Sequence, residues 1–251
     1  MHLLVYGPGR LGSAIAAAAV QAGWTAPTLV GRTPVASGRA PAPHAAVVID
    51  ASTGPAVVDN LDHALLAGNR SFILAATGWD GDVARVRERL LDADAAAVVA
   101  PNLSLGAALF LRLVETAAGW YAAAGAFEPS IVEWHRSGKA DRPSGTARAI
   151  ARRIVSADPR WAAPDTDGDG RPRLEVFGVR AGAAPGTHLV TFDGSGESIE
   201  LRLTARDRSA YADGALAAAR WLVQEPRAAG LHPFDAVIDD LLVAQSIPAR
   251  T

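Results

Sequence analysis

The chain has 251 residues, of which 24 are basic and 26 acidic, giving a net charge of -2, and it contains no cysteine. This charge excludes the basic surface that binds nucleic-acid phosphates, and the missing cysteine excludes disulfides, zinc-thiolate sites and thiol catalysis. Each alanine-rich stretch is interrupted before the ~18 residues that a membrane span needs, and Met1 begins no basic leader, so we expect a cytoplasmic protein without membrane contact.

The first 100 residues alternate apolar runs of strand length with stretches of helix length. Each run is continuously apolar, as strands buried on both faces are. The pattern predicts strands at Leu3–Tyr6, Thr28–Val30, Ala46–Ile49, Phe72–Ala76 and Ala96–Ala100, and helices at Arg10–Gln21, Pro55–Leu66 and Gly81–Leu91. Such alternation indicates a parallel sheet with right-handed crossovers, an α/β domain.

From about residue 105 the pattern changes. It predicts helices at Leu105–Ala124 and Gly145–Val155, and strands at Ser130–Trp134, Leu174–Val179, Thr187–Phe192 and Ser198–Thr204. Strands that follow one another with few helical interruptions indicate a second, α+β domain with a mixed sheet. Two last helices, Tyr211–Val223 and Phe234–Val243, could pack on either domain.

A glycine motif lies between the first strand and the first helix. Gly7-Pro8-Gly9-Arg10-Leu11-Gly12 is a GxGxxG, whose glycines allow a tight turn and whose helix start offers N–H groups to a pyrophosphate. An ordinary glycine-rich turn is the structural alternative. The placement favours a Rossmann-like nucleotide domain.

The end of the second predicted strand bears on the choice of nucleotide. NAD sites carry Asp or Glu there for the ribose hydroxyls, whereas this chain has Gly31-Arg32-Thr33. An arginine can pair with a 2'-phosphate. We therefore expect NADPH to be preferred, with NADH possible, and count Arg32 among the cofactor-binding residues.

Lys139 is the only lysine among the 24 basic residues. A lysine can give up its proton, whereas arginine stays charged. A chance survivor on the surface is the alternative, but the surroundings favour function. His135 lies in the same short segment, and Ser144, Gly145 and Thr146 supply hydroxyls and helix-start N–H groups, which hold carboxylates in proteins.

The segment from Glu133 to Ala147 resembles the signature of the dihydrodipicolinate reductase family, ExHHxxKxDxPSGTA. The resemblance extends along the chain. It includes the glycine motif, Ala75-Ala76-Thr77-Gly78 in place of a Gly-Thr-Thr-Gly loop, the hinge-like Ala100-Pro101-Asn102-Leu103-Ser104-Leu105-Gly106, the stretch from Arg180 to His188, and Gly230 to Asp235.

The resemblance implies a homotetrameric, two-domain enzyme of lysine and diaminopimelate biosynthesis. It would reduce 4-hydroxy-tetrahydrodipicolinate, a small dicarboxylate, to tetrahydrodipicolinate with NAD(P)H. Residues 1–104 and 225–251 would form the dinucleotide-binding domain, and residues 105–224 the substrate-binding and oligomerisation domain.

The same resemblance assigns roles to matching positions. His135 would donate a proton, while Lys139 would assist protonation and bind a substrate carboxylate together with Ser144, Gly145 and Thr146. Ala75, Ala76, Thr77, Ala100, Pro101, Asn102 and Leu103 would join the glycine motif in binding the cofactor. No metal is expected.

Three positions leave alternatives open. Arg136 stands in place of the family's second histidine, which binds substrate; an arginine can still bind a carboxylate through two N–H groups. Ala75 and Ala76 replace a Gly-Thr pair near the nicotinamide. These changes motivate one alternative, a reductase of a related cyclic imine or enamine carboxylate. A catalytically silent NADPH-binding homologue is a second alternative, against which the retention of His135 and Lys139 speaks. His188 matches a family Gly-x-His, and its role, structural or functional, stays open.

Overall fold

A computed structural model describes residues 1–31, 41–164, 170–207 and 209–244. The chain divides into two compact units. The first unit comprises Met1–Leu105 and Arg208–Thr251, and the second unit comprises Gly106–Asp207. No helix in the described ranges is long and apolar enough to cross a membrane.

The described residues form ten strands and seven α-helices. In chain order they are β1 (Leu3–Tyr6), α1 (Arg10–Gln21), β2 (Thr28–Val30), β3 (Val47–Asp50), α2 (Val57–Leu66), β4 (Ser71–Leu74), α3 (Val83–Asp92), β5 (Ala96–Val99), α4 (Leu105–Ala124), β6 (Glu128–His135), α5 (Gly145–Ala157), β7 (Glu175–Arg180), β8 (Gly186–Asp193), β9 (Ser198–Ala205), α6 (Ser209–Gln224), β10 (Gly230–Pro233) and α7 (Phe234–Ala244).

The first unit is built on a parallel sheet of order β10-β5-β4-β3-β1-β2. All four residues of β1 and of β3 are buried, since helices cover both faces of such a sheet. Because the strands are parallel, their carboxyl ends meet at one edge. The Rossmann-like fold expected from the sequence is confirmed.

Two features of the first unit differ from the prediction. β10 was not foreseen; it pairs with β5 at the edge of the sheet, where Pro233 is tolerated because an edge strand has free backbone positions. Helix α6 belongs to the first unit, so the second boundary lies before this helix and not at 224/225. It packs against α1 and β4, and Gly214 lies so close to Leu103 that an added Cβ would be 1.7 Å from its carbonyl oxygen.

The second unit contains the mixed sheet that the sequence predicted, in the order β7-β6-β8-β9. Strand β6 pairs in parallel with β7 and antiparallel with β8. Helices α4 and α5 contribute Phe110, Val114, Ile150 and Ile154 to a core with Ile131, Val190 and Phe192 of the sheet. This core covers one face of β6, the strand that leads into the predicted chemical segment.

Candidate active site

Glu133 breaks the apolar row that faces the core of the second unit. Along β6 the buried positions alternate, with Pro129, Ile131 and Glu133 on one face, and Glu133 is 0% exposed. Its neighbours across the sheet are Gly178 of β7 and His188 of β8. A Cβ at residue 178 would lie 3.2 Å from Glu133 Oε1, so the glycine leaves room for the carboxylate.

One oxygen of this carboxylate is held by two donors. The Ser144 backbone N–H donates to Glu133 Oε1 over 3.0 Å, and Arg180 Nη2 donates to the same atom over 2.7 Å. Burial alone would raise the pKa of Glu133, but the hydrogen bonds from Ser144 and Arg180 outweigh it and hold the pKa below the usual glutamate value. Glu133 is therefore ionised at neutral pH.

The other oxygen of Glu133 faces two imidazoles. Oε2 lies 3.4 Å from His135 Nδ1 and 3.6 Å from His188 Nε2, and within the described residues it accepts no hydrogen bond. The two rings meet edge to face with centroids 5.2 Å apart. This oxygen joins the residue predicted as proton donor to a histidine whose role the sequence left open.

The two histidines differ in their surroundings. Burial, and then the neighbouring His135, lower the pKa of His188 to about 4, so His188 is neutral at pH 7. Burial also lowers the pKa of His135, while the Glu133 carboxylate acts in the opposite direction and Lys139 adds to the lowering. For His135 the Glu133 carboxylate is the second-largest influence after burial, whereas for His188 the neighbouring His135 ranks before it.

Helix α5 begins beside this cluster. Ser144 is its N-cap, with Oγ accepting from the Ala147 N–H at 3.1 Å, and the same Oγ lies 3.1 Å from His188 Nε2. The Ser144 hydroxyl is buried and bonded to two protein groups. Gly145 and Thr146 follow in the first turn, where N–H groups and the helix dipole favour an anion.

Lys139 stands in the loop between β6 and α5. Its Nζ is 2.7 Å from Asp141 Oδ1, and its backbone N–H donates to the Arg136 carbonyl. The pKa of Asp141 lies below its usual value because Lys139 donates a hydrogen bond to it, with a smaller contribution from the Gly145 backbone. Asp141 therefore occupies the Lys139 ammonium, which the sequence assigned to a substrate carboxylate.

Arg136 is exposed next to His135. Its Nη1 lies over Gly138, where an added Cβ would be 3.0 Å away. Within the described ranges it has no acidic partner. Its guanidinium is available to an anionic ligand.

Three members of the cluster had no assigned role in the sequence, namely Glu133, Arg180 and Asp141. A glutamate at a core-facing position of an alternating strand is a signal that could have found the first, because buried carboxylates need partners. The pairing with Arg180 and His188 depends on the register between strands, which local patterns do not reveal.

The structure places the predicted cofactor residues at the carboxyl edge of the first unit's sheet, with the exception of Arg32, which lies outside the described residues. Gly7 has φ +89°, and a Cβ on it would be 2.6 Å from the Ala51 carbonyl oxygen. A Cβ on Gly12 would be 2.1 Å from the Gly7 carbonyl oxygen. Gly9 has no atom within 4 Å of its added Cβ and caps α1 without a side-chain bond, so the first-turn N–H groups can receive a phosphate.

The loops after β4 and β5 end at this edge as well. Ala75 and Ala76 lie just beyond β4 and not within it, and both donate their N–H to the Asp50 carbonyl. Asn102 accepts from the Ser104 N–H at 3.0 Å, and Leu103 is buried. Thr77 and Pro101 are exposed at the edge. Much of the polar capacity of these loops is used within the protein.

The comparisons with known proteins decide the family. The family model described as "Dihydrodipicolinate reductase, C-terminus" matches residues 106–238, more than half of the chain. This chain belongs to the dihydrodipicolinate reductase family. The resemblance drawn from the sequence is confirmed, and with it the prediction of a pyridine-nucleotide-dependent oxidoreductase.

Individual relatives agree with this assignment. The 4-hydroxy-tetrahydrodipicolinate reductase of Cutibacterium acnes is 31% identical over 233 residues, 87% of this chain and 91% of that protein. The enzyme of the same name from Archaeoglobus fulgidus is 38% identical over 188 residues, 71% of this chain and 70% of that protein. The structure of dipicolinate-bound dihydrodipicolinate reductase from Paenisporosarcina sp. TG-14 shares the fold, with a TM-score of 0.69 and 20% identity over 93% of this chain and 97% of that one.

Proposed function

We propose that this chain reduces 4-hydroxy-tetrahydrodipicolinate to tetrahydrodipicolinate with NAD(P)H, a step of lysine and diaminopimelate biosynthesis. The observation that carries the proposal is the cluster of Glu133, His135 and Lys139 beside the start of α5, in a chain of this family. An acid and a cation at the start of a helix suit a dicarboxylate that gains a hydride and a proton.

The second unit is the proposed substrate-binding domain. One carboxylate binds to the N–H groups of Gly145 and Thr146 and to the Lys139 ammonium, displacing Asp141 from the ammonium. Ser144 holds this turn in place through its bonds to Glu133 and His188. Arg136 binds the second carboxylate with its exposed guanidinium, in the role of the family's second histidine.

The chemistry follows from the change between substrate and product. A hydrogen replaces the hydroxyl, so one hydride and one proton are taken up and water leaves. When bound, the reduced nicotinamide supplies the hydride. His135 donates the proton, and Lys139 stabilises the negative charge that hydride addition creates on the acceptor.

The first unit is the proposed dinucleotide-binding domain. The open position at Gly9 and the first turn of α1 receive the pyrophosphate, with Arg10 beside it, and Thr77 and Pro101 lie at the same edge. The preference for NADPH rests on Arg32 and on the missing carboxylate at the end of β2. We also propose a homotetramer in the cytoplasm, as in the family, and light scattering of the purified chain tests the oligomeric state.

A synthase-coupled assay tests the function. The upstream synthase generates the substrate in place, and loss of reduced nicotinamide is followed at 340 nm with NADPH and with NADH. We expect consumption that requires the synthase product and has a higher kcat/KM with NADPH. Consumption with simpler cyclic imino acids but not with the synthase product would contradict the proposal.

A further inference from the structure

We propose that Glu133 is a positioning residue of this site, holding the His135 imidazole through one carboxylate oxygen and the start of α5 through the other. The inference rests on the proposed role of His135 as proton donor. It adds a residue that contacts Ser144, Arg180 and the two histidines.

Glu133 carries a buried charge. Glu133 occupies a core-facing position of β6 and is fully buried, where an ionised carboxylate is unfavourable unless it is paired. Arg180 provides the pairing at 2.7 Å. A purely structural ion pair needs no further ionisable partner, yet this carboxylate directs its second oxygen at two imidazoles.

The nitrogen of His135 that faces the carboxylate is Nδ1. Nδ1 lies 3.4 Å from Glu133 Oε2 and has no hydrogen-bond partner among the described residues. A carboxylate on this side keeps the proton on Nδ1, which leaves Nε2 to exchange its proton with a ligand. A Cβ at Gly186 would lie 3.2 Å from Nε2, so the glycine keeps that side of the ring clear.

Charges of both signs surround His135. Lys139 and Arg180 disfavour its protonated form, while Glu133 and, more weakly, Asp141 favour it; His188 is the remaining titratable neighbour. Of the groups that favour the protonated form of His135, Glu133 has the largest effect. Its removal should leave fewer protonated His135 side chains at neutral pH.

Glu133 also links His135 to the proposed anion site at the start of α5. Glu133 Oε1 accepts from the Ser144 N–H immediately before the first turn of α5. Ser144 also caps that helix and bonds His188. One side chain thus connects the proton donor to the turn that holds the substrate carboxylate.

The test is an NMR titration of His135 in the whole chain without substrate. The His135 resonance is assigned with His135→Asn. In Glu133→Gln we expect the pKa of His135 to fall by roughly one unit. Glu128→Gln, an exposed glutamate on the same strand, should leave it within ~0.2 units. An unchanged pKa in Glu133→Gln would overturn the inference.

Two further measurements support the test. Glu133→Gln leaves Arg180 without its partner, so Glu133→Gln/Arg180→Gln is titrated if the single variant does not fold. In the wild-type chain, imidazole ¹⁵N shifts should show the neutral His135 protonated on Nδ1, and the other tautomer would also overturn the inference. Because no substrate is present, a failed coupled assay would remove the proposed function and leave these results unaffected.

Discussion

Among the described residues, the sheet of each unit buries one carboxylate, and the two are satisfied in different ways. In the first unit Asp50 is 3% exposed, and neutral donors reach both of its oxygens: the Ser52 N–H and hydroxyl on one, the Asn60 amide on the other. In the second unit Glu133 has one oxygen bonded and the other facing two histidines. A carboxylate with hydrogen bonds to both oxygens fixes the shape of a loop. A carboxylate with hydrogen bonds to one oxygen, and with titratable groups facing the other, suits a part in proton transfer.

The proposed function assigns proton transfer to the second unit, so the largest expected effect comes from a change there. Lys139→Arg keeps the charge but cannot release a proton or fit the same space, and we expect kcat to fall by roughly 100-fold or more. NADPH binding, measured by fluorescence, should be unchanged. Arg152→Lys, an exposed exchange on α5, is the matched control. Near-normal turnover in Lys139→Arg would remove this lysine from the mechanism.

The next test uses the neutral partner of Glu133. His188 takes up its proton near pH 6.5 when unfolded but only at about pH 4 when folded, so its contribution to stability is present above pH 6.5 and is lost as the pH falls toward 4. Between pH 7 and pH 5 the unfolding free energy of the wild type should drop about 2 kcal/mol more than that of His188→Asn.

Urea unfolding at the two pH values measures this difference. His44→Asn, at an exposed position, should keep the full wild-type dependence on pH. If the unfolding free energy changed equally with pH in the wild type and in His188→Asn, His188 would not be held neutral by its buried position. The Glu133 oxygen would then face a charged ring.

The smallest effect concerns the exposed side of the site. Asp141 holds Lys139 in the free chain, so Asp141→Asn should lower the KM for substrate while kcat stays close to the wild-type value. Half-exposed ion pairs contribute up to ~1 kcal/mol, which limits the change to about fivefold. A raised KM, measured in the coupled assay, would show that Asp141 orients Lys139 for substrate and does not compete with it.

Much of the fold could be predicted because its signals are local. The bounds of β1, α1, β2 and α4 agree with the expected ones, since apolar runs and helical periods are continuous there. β10 gave no such signal, because it is short and contains Pro233. Helix α6 was assigned to the wrong unit because its small buried residues do not reveal their partner.

The part of the site that is formed by residues close in sequence could be predicted as well. His135, Lys139 and the start of α5 lie within residues 135–145, and the structure keeps them in one segment. The links through Arg180 and His188 depend on pairing between β6, β7 and β8, which arises only when the sheet forms.

The most direct measurement is the pH dependence of kcat/KM for two matched variants, Glu133→Gln and Asp50→Asn. If protonated His135 is the acid, kcat/KM falls as the pH rises through its pKa. We predict that Glu133→Gln moves this alkaline limb about one unit lower, and that Asp50→Asn leaves its position unchanged even if stability is lost. Alkaline limbs at the same pH in both variants would contradict the account.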